Sequence, residues 1–131
     1  FAGSGNISIE FISRGCKTVT AVDNNIKCVN FIKKIKKKLL INNLNIHLAS
    51  VNSFLKKNDE LYDIIFLDPP FKYTQSEYDL ILKKIFSNNL INQNAMIAIE
   101  HSKFIKFEKH PFFNNTKKYG RVNFTFLKNE K

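Results

Sequence analysis

Asp68-Pro69-Pro70-Phe71, placed directly after the apolar run Ile64-Ile65-Phe66-Leu67, contains the parts needed to hold a planar aromatic amine. The exocyclic NH2 of a nucleobase is a weak nucleophile because its lone pair is delocalised into the ring. The Asp68 carboxylate and a backbone carbonyl of the Pro-Pro unit can accept hydrogen bonds from its two N–H groups and favour the pyramidal nitrogen of a transition state. Phe71 can stack on the ring. The prolines fix φ, so the acceptors are placed before a substrate arrives. An isolated Asp-Pro-Pro would serve equally to end a strand, with the aromatic packing inward, so the motif gains weight only from its company.

That company lies at the start of the chain, Phe1-Ala2-Gly3-Ser4-Gly5-Asn6, followed by a helix-like stretch from Ile7 to Arg14 with Ile7, Ile9, Phe11 and Ile12 available for a buried face. A Gly-x-Gly turn entering a helix lets backbone approach a ligand without a Cβ clash. Thr18 to Val22 then reads as a strand ending in Asp23, an acid suited to accepting hydrogen bonds from both hydroxyls of a ribose. These spacings suit a nucleoside cofactor at the strand ends of a Rossmann-like sheet. NAD fits poorly, because Gly3-x-Gly5-x-x-Ser8 lacks the third small residue of the dinucleotide fingerprint. S-adenosylmethionine has no pyrophosphate and needs only the glycine turn, and a hydride-transfer enzyme has no use for a paired amine acceptor.

The elements that must position these residues alternate along the chain. Asn25 to Ile41 has Ile26, Val29, Ile32, Ile35 and Leu39 at helical spacing, with Lys33, Lys34, Lys36, Lys37 and Lys38 on the other side. Those lysines read first as a solvated face and second as part of a field that attracts phosphates. Asn45 to Ala49 is a short strand, Val51 to Lys57 a turn or short helix, and Tyr62 to Leu67 the strand that delivers Asp68. Ser76 can cap a helix running to about Phe86 with Tyr78, Ile81, Leu82 and Ile85 inward. After the turn Asn92-Gln93-Asn94, Ala95 to Glu100 is a strand, and Lys117 to Leu127 a hairpin about Gly120. The expected fold is α/β, an open, mostly parallel sheet with an antiparallel C-terminal hairpin, and its strand ends collect Phe1 to Gly5, Asp23, the loop near Ser50 and Asp68 to Phe71.

The 131 residues, 44% hydrophobic, suit one domain at the small end for such a sheet. No membrane span, signal peptide or repeat is present in the sequence. The lone methionine is internal and Phe1 falls inside a motif, so an N-terminal portion is expected to be missing. Cys16 and Cys28 read as buried reduced thiols of a cytoplasmic protein, without metal-binding spacing. A net charge of +10 points to a polyanionic partner, although a Lys-, Asn- and Ile-rich composition also follows from an AT-rich genome. His101, at a strand end, is a candidate general base for the departing amine proton, weighed against the commoner packing histidine. Tyr73 either lines a base pocket or packs on the next helix; His47 and His110 have no partners that suggest chemistry.

Taken together, these residues resemble the bacterial 16S ribosomal RNA guanine-N(2) methyltransferases of the RsmD type, within the class I S-adenosylmethionine-dependent methyltransferases. The resemblance spans the chain through Phe1-Ala2-Gly3-Ser4-Gly5, Glu10 with Ser13-Arg14-Gly15, Ala21-Val22-Asp23, Ser53-Phe54-Leu55, Asp68-Pro69-Pro70-Phe71, Ile99-Glu100 and Tyr119-Gly120. It implies methyl transfer to the exocyclic amine of one guanine in 16S rRNA, on a partly assembled 30S particle, by a metal-independent monomer. It also implies a cofactor site at Phe1, Ala2, Gly3, Ser4 and Gly5 around the methionine moiety, Asp23 at the ribose, and Ser50-Val51 beside the adenine. Asp68, Pro69, Pro70 and Phe71 would hold the amine. Ser50 departs from the Asp or Asn common in that family. The strand that would lead into the glycine turn, central in the family's sheet, is absent from this sequence. The rival readings are a DNA adenine-N(6) methyltransferase, which the lack of a target-recognition domain disfavours, and a non-catalytic RNA-binding domain, which the intact Gly3, Gly5, Asp23 and Asp68 disfavour.

Overall fold

A computed structural model describes residues 1–130 and divides them into two compact units, residues 1–54 and residues 55 onward. Each has its own sheet and core. In the first unit, α1 (Asn6–Ser13), β1 (Val19–Asp23), α2 (Ile26–Lys38) and β2 (Leu44–Leu48) follow in order, and the strands pair in parallel with Ala21 opposite Ile46. α3 (Val51–Lys57) crosses the boundary at Phe54. The second unit holds β3 (Tyr62–Leu67), α4 (Gln75–Ser87), β4 (Ile91–Ser102), β5 (Phe113–Tyr119) and β6 (Val122–Lys128).

The core of the first unit is Ala21, Ile32 and Leu44, with Ala2, Ile9, Ile12, Val19, Ile41 and Ile46 packed around it. The α2 stripe is narrower than its periodicity suggests. Val29 and Ile32 are buried, whereas Ile26 and Leu39 at its two ends are exposed, because a short two-stranded sheet covers only the helix middle. Asn25 caps α2 by accepting from the Lys27 N–H at 2.9 Å. On α1 the buried side includes Ser8 rather than Ile7, which is 45% exposed: the glycine turn rotates the helix so that Ser8, Ile9 and Ile12 face the strands.

In the second unit the strand order is β3-β4-β6-β5, with β3 and β4 parallel and the other two pairs antiparallel. The last strand therefore lies between β4 and β5, placing its alternating Asn123, Thr125 and Leu127 on the buried face. α4 covers that face with Tyr78, Ile81, Leu82 and Ile85, as its spacing requires. Its cap is Thr74, not Ser76. The Thr74 hydroxyl accepts from the Glu77 N–H at 3.3 Å, and the Glu77 carboxylate accepts from the Thr74 N–H at 2.7 Å, a reciprocal arrangement that two residues of the same type made hard to choose between in sequence. β4 begins at Ile91 rather than Ala95, absorbing the expected turn. Asn94 has φ 65°, and the pairing with β3 shifts between Tyr62 and Ile64, so the turn residues become an irregularity within a longer strand. The sheet expected to be continuous is thus present as two separate sheets.

Leu127 is fully buried, paired with Ile97 of β4 and Phe113 of β5, so Leu127→Ala is expected to lower unfolding stability by about 2–5 kcal/mol in urea titration.

Candidate active site

The first unit gathers the proposed cofactor residues. Phe1 and Ala2 run beside β1, both nitrogens donating to the Val22 carbonyl at 2.9 Å. The chain then turns through Gly3 at φ 55° and Gly5 at φ 81°, with the Gly5 N–H bonded to Ala2 O at 2.9 Å. Asp23 organises this turn. Its Oδ2 accepts from the Gly3 N–H and its Oδ1 from the Asn25 N–H, each at 2.9 Å, which leaves a further lone pair on each oxygen for outside donors. Gly5 is irreplaceable on two counts: left-handed φ, and an added Cβ that would sit 2.8 Å from Ile32 Cγ1. Gly3 differs in having open space where a Cβ would be. Gly5 caps α1 and has no side chain to bond the amides of the first turn, an arrangement suited to an anion. The Ala49 N–H bonds Asp23 O at 3.0 Å and brings the next residue, Ser50, to the same strand end; Ser50 Oγ accepts from Ser53 N–H at 3.1 Å and caps α3 beside Val51.

The residues expected from the sequence to hold an amine lie in the second unit. Leu67, the last residue of β3, pairs with Ile99 of β4, so Asp68 just past β3 lies beside Glu100 within β4 and their carboxyl groups hydrogen-bond. That contact, reinforced by partial burial, pushes the Glu100 carboxyl up to about 7. The Glu100 carboxyl thus keeps its proton well above the usual carboxylate range and can donate it toward Asp68. Beneath them the Tyr78 hydroxyl donates to Glu100 O at 3.2 Å; burial first, then Asp68 and Glu100, raise it to about 12, so it stays a phenol. Glu100 is a participant that sequence reading missed, its signal being only its place one residue after the β4 position that pairs with Leu67.

Past Asp68, the Tyr73 N–H bonds Pro70 O at 2.9 Å in a tight turn, which leaves the Pro69 carbonyl as the one outside the turn. Phe71 is 75% exposed, its ring open to a stacking partner. Tyr73 packs edge-on against Tyr78 at 5.9 Å and so belongs to the α4 support. The Gln75 amide ties the loop after β4 to the start of α4, donating to Lys106 O at 2.9 Å and accepting from Lys106 N–H at 2.8 Å.

His101 is a packing residue. It lies on the α4 side of β4, one residue on from Glu100 and so on the opposite face, with Nδ1 2.8 Å from Ser102 O and Nε2 2.6 Å from Thr125 Oγ1. A carbonyl can only accept, so Nδ1 carries the proton and Nε2 takes the Thr125 hydroxyl, leaving no free lone pair for a substrate. Burial lowers its pKa and keeps it neutral. Cys16 and Cys28 are free thiols, half-buried rather than buried. Of the α2 lysines, Lys36 bonds back to Leu44 O at 2.6 Å, while Lys33, Lys34, Lys37 and Lys38 are exposed. Among the described residues, no helix is long and apolar enough to cross a membrane.

Two outcomes are expected. Gly5→Ala should lower thermal stability by about 2 kcal/mol or more through left-handed strain and overpacking at Ile32. Because Glu100 has a folded value near 7 against an ordinary 4.5, the folded state binds a proton over that range that the unfolded state has released. Its contribution to stability is full below pH 4.5 and lost as pH rises through 7. Glu100→Gln should flatten that part of the stability profile, as followed by urea midpoints across pH.

The family described as Conserved hypothetical protein 95 matches residues 1–128. The chain is 35% identical over 133 aligned positions to a ribosomal RNA small subunit methyltransferase D of Buchnera aphidicola (subspecies Baizongia pistaciae), covering 98% of this chain and 67% of that protein. It is 34% identical to the protein of the same name from Haemophilus influenzae, of whose length it spans only 54%. Among solved structures, HI0767 of Haemophilus influenzae superposes with TM-score 0.89 at 27% identity over 100% of this chain and 84% of that one. The architecture is that of the class I S-adenosylmethionine-dependent methyltransferases. The resemblance read in the sequence is borne out, and the chain belongs to the Conserved hypothetical protein 95 family, as a relative of the ribosomal RNA small subunit methyltransferases D.

Proposed function

We propose that residues 1–131 act as one catalytic domain of a cytoplasmic, monomeric enzyme that methylates the exocyclic N(2) amine of a guanine in 16S rRNA. The substrate is an assembling 30S subunit. The observation that carries the reading is the pairing of Asp68 with Glu100 directly before Pro69, Pro70 and the exposed ring of Phe71. S-adenosylmethionine supplies an electrophilic methyl on a sulfonium centre. The first unit fits that molecule: uncapped amides at the start of α1 suit its carboxylate, the open side of Gly3 admits close approach, and the remaining lone pairs of Asp23 suit ribose hydroxyls. Phe1, Ala2 and Ser4 complete that wall, and Ser50-Val51 lie at the neighbouring strand end for the adenine.

Asp68 and the Pro69 carbonyl accept the two amine hydrogens and favour a pyramidal nitrogen with its lone pair free to attack. Phe71 stacks on the base, offsetting part of the few kcal/mol needed to extrude it. The bound cofactor would supply the methyl, with S-adenosylhomocysteine as its leaving product, and the amine proton held at Asp68 would pass to water. Protonated Glu100 donates to Asp68 and fixes its orientation.

Relatives named as ribosomal RNA methyltransferases, and a net charge of +10, support RNA over DNA. Asp68→Ala is expected to lower transfer of labelled methyl from S-adenosylmethionine to 16S RNA by about 10²–10³-fold while calorimetry shows cofactor affinity unchanged. Equal loss of both would remove Asp68 from the chemistry.

A further inference from the structure

The parallel and antiparallel pairings of the second unit bring four chain segments to one edge of its sheet. β3 ends there at Leu67, β4 at Ser102 and β5 at Tyr119, and β6 begins there at Val122; Ser102 and Tyr119 both pair with Val122. The Asp68–Tyr73 loop leaves from that edge. So do Lys103 and Phe104 from β4, and the Tyr119–Arg121 hairpin tip beside them. The Gln75 amide, bonded twice to the Lys106 backbone, holds the loop after β4 against the exit of the Asp68 loop.

The side chains here are unusual for a surface that buries nothing. Phe104 is 78% exposed, with Lys103 Nζ 5.2 Å from its ring centre, and Tyr119 is 57% exposed, edge-on to Phe124 at 5.6 Å. Lys118 and Arg121 flank Tyr119, both exposed. Solvated lysines alone would be unremarkable in so basic a chain. Large exposed rings alternating with cations are another matter, since rings left in water cost free energy that a folded domain ordinarily avoids by burial. The pattern matches the requirements of an unpaired polynucleotide, whose bases stack on aromatic faces while cations follow its phosphates.

We propose that Lys103, Phe104, Lys118, Tyr119 and Arg121 form a platform for the single-stranded RNA that flanks the target base. The proposal rests on the methyl-transfer reading for the identity of that base. The geometry sets the order of contacts: a strand stacked on Phe104 and Tyr119 presents its neighbouring nucleotide to Phe71 and Asp68 on the same edge. An unpaired substrate also avoids much of the cost of extruding a base from a duplex.

The test is fluorescence anisotropy with a labelled single-stranded RNA oligonucleotide across a salt series, alongside calorimetry with S-adenosylmethionine. Phe104→Ala with Tyr119→Ala should weaken RNA binding roughly tenfold or more with the salt slope unchanged. Lys118→Ala with Arg121→Ala should weaken it and lower the slope of log affinity against log salt by about 1.4. Cofactor affinity and thermal midpoint should hold in both, which excludes misfolding. Wild-type affinity and slope in both variants would overturn the platform while leaving the methyl-transfer reading intact, as would preference for duplex over single strand. Failure of the wild-type protein to bind S-adenosylmethionine would instead overturn the underlying reading.

Discussion

The second unit depends on the register of two parallel strands. With Leu67 opposite Ile99, the next residue on each strand must lie beside the other, and both are acids. The hydrogen bond to Asp68, with partial burial and like charge, holds the Glu100 proton up to about 7. Everything around the pair maintains the register. The α4 stripe of Tyr78, Ile81, Leu82 and Ile85 presses on the buried face of β4, the Thr74–Glu77 capping box fixes where α4 begins, and the turn at Pro70 to Tyr73 closes the loop in between. A one-residue slip would carry Glu100 to the face that His101 occupies and separate it from Asp68.

The first unit solves a related problem with a single carboxylate. Asp23 closes β1, receives the Gly3 and Asn25 amides, and so couples the glycine turn to the start of α2. The turn in turn sets the rotation of α1 and leaves its first amides without a side-chain cap. A residue read from sequence as a ligand contact is thus also the structural anchor of the loop beside it. Both roles fit the lone pairs available, and both explain why an acid must stand there.

Legibility in the sequence followed the range of the interaction. The four buried positions of α4, the glycine turn and the Asp68 loop were readable because helical periodicity, left-handed φ and proline geometry are local. Choices between near neighbours were not: Thr74 over Ser76 as the cap, and Ser8 over Ile7 as the buried residue of α1, were decided by reciprocal bonding and helix rotation that no single residue type encodes. The Asp68–Glu100 contact was invisible because its partners lie about thirty positions apart and meet only through strand register. The same holds for His101, whose place in sequence beside Glu100 suggested proton transfer until alternation along β4 put the two on opposite faces.

The central claim is that this arrangement methylates a ring amine of RNA, and nucleoside mass spectrometry reads that claim most directly. Small subunits from a strain lacking the modification would be incubated with the protein and S-adenosylmethionine, and their 16S RNA digested to nucleosides. N(2)-methylguanosine is the predicted product. Unmethylated RNA, together with N(6)-methyladenine in a parallel reaction on DNA, would contradict the account and give the site to the other base.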